Sequence, residues 1–107
     1  GDVQAVHSLR RGVAEALEIV ARGDRKSSRV VGRKVSEIHL PAEVHMGLIV
    51  RGLPEEGAEP QPAAQPQVII PRSHTVIESN DHVVFFLPHK RLVREVEKQF
   101  RVSATFF

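Results

Sequence analysis

A chain of 107 residues, 41% of them hydrophobic and most of those Val, Ile or Leu, can bury one modest core but cannot hold a Rossmann domain with a second lobe. The absence of Cys excludes a disulfide framework and thiolate metal sites, and suits a reducing compartment. A formal charge of +2, with Lys and Arg scattered and neither Trp nor Tyr present, marks a mildly basic surface without the aromatic platforms that single-stranded nucleic acid needs, so nucleic acid is not an expected partner.

The opening "GDVQAVHSLRR" has no signal-peptide layout, no stretch approaches the ~20 apolar residues of a membrane span, and a start at Gly instead of Met suggests a piece of a longer protein. Residues 2–9 alternate loosely, with Val3, Ala5 and either Val6 or Leu9 apolar, as a short strand ending at "RRG" would. "VAEALEIVAR", residues 13–22, fits two templates: a helix with Val13, Leu17 and Val20 on one face, or a strand through Ala16, Glu18 and Val20. Ala and Glu favour the helix by propensity, and the residues alone leave both open.

"GDRKSS" breaks that element. In "VVGRKVSEIHLP", Val35 and Ile38 stand one helical turn apart and Pro41 closes the segment, which predicts a short helix. "HMGLIVRG" is apolar at Met46, Leu48, Ile49 and Val50 and stops at Gly52, a mostly buried strand. Residues 53–67 hold four Pro and no large hydrophobe after Leu53, so they are expected to be a Pro-rich loop insertion joining two strands. Each doubling of loop length costs only about 0.6 kcal/mol, so a hairpin tolerates it.

"QVIIP" predicts a short strand ended by Pro71, and "HTVIE" a second with Val76 and Ile77 at its centre. In "ESND", Asn80 is placed for a positive φ and Asp81 for bonding nearby amides, so that "HVVFFL" returns antiparallel. Pro88 suits a first helical turn, and Leu92, Val93, Val96 and Phe100 form the stripe of a C-terminal amphipathic helix. Glu95 and Glu97 precede Lys98 and Arg101 at the spacing of helical ion pairs. His89, Lys90 and Arg91 crowd the helix start, where each cation opposes the macrodipole by about 0.3–1 kcal/mol unless an anion offsets it.

No catalytic residue is expected: GxSxG, GxGxxG and GxxxxGK[ST] are all missing. His39, Glu43 and His45 straddle Pro41 and lack the i, i+4 spacing that puts two imidazoles on one metal, so they predict loop histidines and no metal site; a small hydrolase or metal enzyme built on them is the weakest reading. Arg72 and His74, with His82, flank "TVIESND" and have the chemistry to hold an anion. The basic segments 25–34 and 89–94 keep a polyanion or nucleic-acid binding module as the alternative function.

Taken in order, "AEALEIVARGDRKSSRVVGRKVSEIHLP", "HMGLIVRG", "VIIPRSHTVIESNDHVVFFL" and "HKRLVREVEKQF" resemble the C-terminal regulatory domain of potassium-conductance regulators, the RCK_C or TrkA-C domain. The resemblance covers nearly the whole chain except residues 53–67. It implies an α+β fold, a small, mostly antiparallel sheet with a short helix and a C-terminal amphipathic helix, and it implies that "AEALEIVA" is a strand. It implies a single regulatory domain over 1–107, with residues 1–12 a lead-in strand from an N-terminal domain absent from this chain. It further implies a homodimer made through this domain and a cytoplasmic place at the inner face of the plasma membrane. The full-length protein would gate a membrane-embedded potassium transporter subunit without itself entering the bilayer. No cofactor is implied for this piece; some relatives bind a small regulatory ligand, such as a cyclic dinucleotide or an ion, at the dimer interface, and a nucleotide or cyclic dinucleotide is the regulatory ligand expected here. For such a pocket the residue chemistry offers Arg51 and Arg72 for charge, Pro71 for rigid backbone shape and His74 as a polar contact. Two departures bear on it: residues 53–67 replace a tight hairpin, and "LPHK" stands where relatives often have an acidic residue.

Overall fold

Alternation decides the segment that propensity could not. In β2 (Ala14–Val20) Glu15, Leu17 and Ile19 are buried while Ala14, Ala16 and Glu18 are half-buried, a period of two that only a strand produces. The strand that the resemblance implied is therefore present, and burial of Leu17 and Ile19 outweighs the helical preference of Ala and Glu. The structure is a computed structural model that describes residues 2–9, 14–54 and 65–101.

Its strands are β1 (Asp2–Leu9), β2, β3 (His45–Arg51), β4 (Gln67–Ile69) and β5 (His82–Leu87), and its helix is α1 (Arg91–Gln99). They form one sheet in the order β1-β2-β5-β3-β4, every pair antiparallel. The result is the expected α+β architecture. β5 lies at the centre and sends Val83, Phe85 and Leu87 to the interior, where α1 covers them through Val96 and Phe100. The Phe85 and Phe100 rings meet edge-on, centroids 5.6 Å apart at 87°, an arrangement that adds about 0.5–1.5 kcal/mol to the area they bury. The predicted stripe of α1 holds: Val96 and Phe100 are buried, and Leu92 and Val93 are half-buried against the core. Glu95 and Lys98 pair at 3.3 Å on its outer side.

The short helix is one 3-10 turn, Val35–Glu37, started by the Glu37 side chain accepting the Lys34 N–H at 2.8 Å. Ahead of it Gly32 has φ +78, a conformation that penalises any side chain with a Cβ. In β3 the register slips between Met46 and Leu48; Gly47 is the residue there, and a Cβ on it would collide with the Phe86 ring.

Three expectations need correcting. "HTVIE" makes no strand and no hairpin with β5; its one bridge joins Val76 to Lys34. Both edges of β5 are already taken by β2 and β3, so Ile77 donates to Arg33 O at 3.0 Å and accepts from Gly32 N–H at 2.7 Å. Pro88 precedes the helix: Lys90 is the N-cap. The loop expected over 53–67 ends one residue early, because Gln67 pairs with Arg51; residues 55–64 and the "RRG" at 10–12 lie outside the described residues. The turn chemistry was legible: Asn80 has φ 70, and the Asp81 carboxylate accepts the Glu78 N–H at 2.8 Å.

Candidate functional site: the β4 edge and the turn that follows it

Among the described residues β4 is an edge strand, paired only with β3. Ile69 packs against the core, while Val68 and, one residue past the strand, Ile70 point away from it and are each 64% exposed. Edge strands with open backbone groups and apolar side chains are templates for pairing with another chain.

Pro71 then leads into a turn built by its own side chains. Arg72 N–H donates to Thr75 Oγ1 at 2.9 Å, and Thr75 N–H to Arg72 O at 3.0 Å. The one-turn helix holds this turn from beneath, with Val35 N–H donating to Thr75 O at 2.8 Å and Ser36 N–H to Ser73 O at 3.0 Å. Pro71 is half-buried, and Arg72, Ser73 and His74 are exposed. The sequence candidates Pro71, Arg72 and His74 thus stand together beside the open edge, on backbone fixed by hydrogen bonds.

Arg51 is on the same hairpin but its charge faces inward. Its Nε and Nη2 donate to the two Asp81 carboxylate oxygens, both at 2.9 Å, and Nη2 also donates to Val76 O at 2.9 Å. Nη1 lies 2.7 Å from Glu78 Oε2. Asp81 is fully buried, so this is a bidentate, charge-assisted pair in a low-dielectric place. Its hydrogen bonds raise the Arg51 pKa, with burial opposing. Arg51 therefore clamps β3 to the 76–81 segment. Sequence reasoning missed the partnership because the two residues are 30 apart; a buried-turn Asp and a strand-end Arg were the available signals.

The remaining sequence candidates are dispersed. His82 Nδ1 is 2.8 Å from Glu18 Oε2, across the β2–β5 pair. His39, Glu43 and His45 are exposed, and Glu43 faces His89 Nε2 at 3.9 Å. Among the described residues no group of three or more His, Cys, Asp or Glu is placed to hold a metal ion, and no helix is long and apolar enough to cross a membrane. In the basic segment 25–34, Val30 and Val31 are buried while Arg25, Lys26 and Arg29 are exposed, so a core strip runs through it.

A family model described as the TrkA-C domain matches residues 24–101. The chain is 45% identical over 107 residues, all of its length and 21% of the relative's, to the Trk system potassium uptake protein TrkA of Halomonas elongata. The protein of the same name from Haemophilus influenzae is 42% identical over 106 residues, 99% of this chain and 20% of that one. The one from Vibrio alginolyticus is 45% identical over 105 residues, 98% and 20% of the two lengths. The chain spans about a fifth of the length of the curated relatives it matches.

Proposed function

The chain belongs to the TrkA-C domain family, and we propose that it is a non-catalytic regulatory domain of a potassium uptake system, one that pairs with a second copy and senses a small ligand. The observation that carries the reading is the β4 edge, where Val68 and Ile70 are 64% exposed beside the braced turn of Pro71, Arg72 and His74. Pairing two β4 edges removes that apolar surface from water and satisfies the open backbone groups in one step. It also brings two copies of the Pro71–His74 turn to one interface, where Arg72 and His74 suit the phosphates of a nucleotide or cyclic dinucleotide.

Regulation follows from linkage. A ligand at such an interface moves an equilibrium only by the difference in its affinity for two arrangements of the pair, and by reciprocity the arrangement sets the ligand affinity. The full-length protein then passes the change to a membrane-embedded potassium transporter subunit from the cytoplasmic face.

Sedimentation tests the pairing. The wild-type chain is expected to sediment as a dimer, and Val68→Lys with Ile70→Lys as a folded monomer. A thermal-shift series with cyclic dinucleotides, nucleotides and monovalent cations tests the sensing, since a ligand that binds the folded form raises the melting temperature. A monomeric wild type, or a dimer indifferent to both lysines, overturns the β4 interface; a response that survives Arg72→Ala and His74→Ala places sensing elsewhere.

A further inference from the structure

The alternation of β2 sends Glu15 to the same face as Leu17 and Ile19, and it is 1% exposed. Its Oε2 atom has no hydrogen-bond partner among the described residues. Buried acceptors are rarely left unmatched, because each forfeits its hydration without replacement. A position with only packing duties would carry an apolar residue, as the next two inward positions of the strand do.

Glu15 lines a recess of about 430 Å³. Among the described residues the other walls are Val6 from β1 and Lys90, Val93 and Arg94 from the start of α1. Lys90 and Arg94 are exposed cations, and Val6 and Val93 present apolar surface. The first turn of α1 has no acidic residue and its N-cap makes no side-chain hydrogen bond; the Leu92 and Val93 amides turn back onto His89 O and Lys90 O, so what this helix end adds to the recess is its dipole. The recess combines an unmatched acceptor, apolar walls and two cations at the positive end of the helix.

These charges discriminate. A simple cation is repelled by Lys90 and Arg94, and a simple anion by Glu15. A molecule with both signs meets all three. We propose that the recess binds a small zwitterion of the amino-acid class, an ammonium and a carboxylate joined by a short alkyl skeleton. The ammonium pairs with the Glu15 carboxylate, the carboxylate accepts from Arg94 and Lys90, and the alkyl part lies between Val6 and Val93. β1 and β4 are opposite edges of the sheet, so this site is separate from the proposed dimer edge and stands whether or not that pairing forms.

The test is titration of the chain with valine and 4-aminobutyrate, followed by amide shift changes and calorimetry, with propylamine, propionate and N,N,N-trimethylglycine as partial probes. At least one of the two zwitterions is expected to saturate the site and shift residues 6, 15 and 90–94. The three partial probes lack one charge or every N–H donor and are expected to bind at least about tenfold more weakly, the loss of one charge-assisted bond. Glu15→Gln is expected to weaken binding by a similar factor, and Arg94→Ala, on the exposed side of the helix, provides a second reading should Glu15→Gln not fold. Val68→Lys is expected to leave binding unchanged, which separates this site from the dimer edge. Absence of saturable binding by both zwitterions, equal binding of propylamine or propionate, or indifference to both site variants overturns the proposal.

Discussion

Asp81 and Glu15 are carboxylates withdrawn from water at opposite ends of the central strand. Asp81 immediately precedes β5, and Glu15 pairs through β2 with Leu87, the last residue of β5. They are 0% and 1% exposed, yet their surroundings differ completely. Asp81 accepts twice from Arg51 and once from the Glu78 amide, whereas Glu15 leaves Oε2 without a partner among the described residues. Burial alone therefore says little about what an acidic residue does. Satisfaction separates a clamp that fixes the fold from a group whose binding capacity is still open.

Removing the clamp should have the largest effect. Asp81→Ala removes two of the Arg51 guanidinium's bonds, leaving it Glu78 and Val76 O, and takes the acceptor from the Glu78 amide, so it is expected to cost about 2–3 kcal/mol in urea unfolding. A loss below about 1 kcal/mol would erase the distinction between the two ends. At the other end the sign reverses. Glu15→Met keeps the volume and removes the unmatched oxygen, so it is expected to leave stability unchanged or raise it by about 1 kcal/mol in the same assay. A loss there comparable to that of Asp81→Ala would make Glu15 a second clamp.

The smallest effect belongs to an exposed carboxylate, which sharpens the comparison from outside. Asp24 accepts the Ser27 and Lys26 amides, both at 2.9 Å, and the Ser27 hydroxyl at 3.1 Å. These bonds, that to the Ser27 amide first, hold its pKa below the ordinary value of 3.8. The folded value is depressed, so its stabilisation is complete above the ordinary carboxylate range and is lost as pH falls through the lower folded value. Melting curves taken downward from about pH 5 should show a shallower acid decline for Asp24→Asn than for wild type. An unchanged slope would show that this turn contributes nothing to acid sensitivity.

How far the sequence could be read follows the range of the interactions. Asn80 and Asp81 were legible because a turn is decided within four residues, and the α1 stripe because its period is unbroken from Leu92 to Phe100. β3 was legible from its apolar run and Gly52. Residues 14–20 were not, since a central position between β1 and β5 decides their state and that position is a property of the whole sheet. "HTVIE" misled for the same reason: its β-branched residues suit a strand, but β5 had no free edge to offer. At the candidate site, Pro71, Arg72 and His74 were nominated by chemistry and do share a surface, while the inward aim of Arg51 depends on a residue 30 positions away. Glu15 gave no local sign, because a strand's buried face is known only when its neighbours are.

The order of strands also constrains synthesis. β2 and β3 are separated in the sheet by β5, which is made last. While a ribosome is still producing residues 21–81, neither strand has the partner that will seal its inner edge, so the sheet closes only after position 87 has cleared the exit tunnel. Such late, long-range closure slows folding. In the interval the nascent chain carries two unfinished apolar strands, and chaperone capture of chains truncated before residue 82 should exceed that of chains released after residue 101.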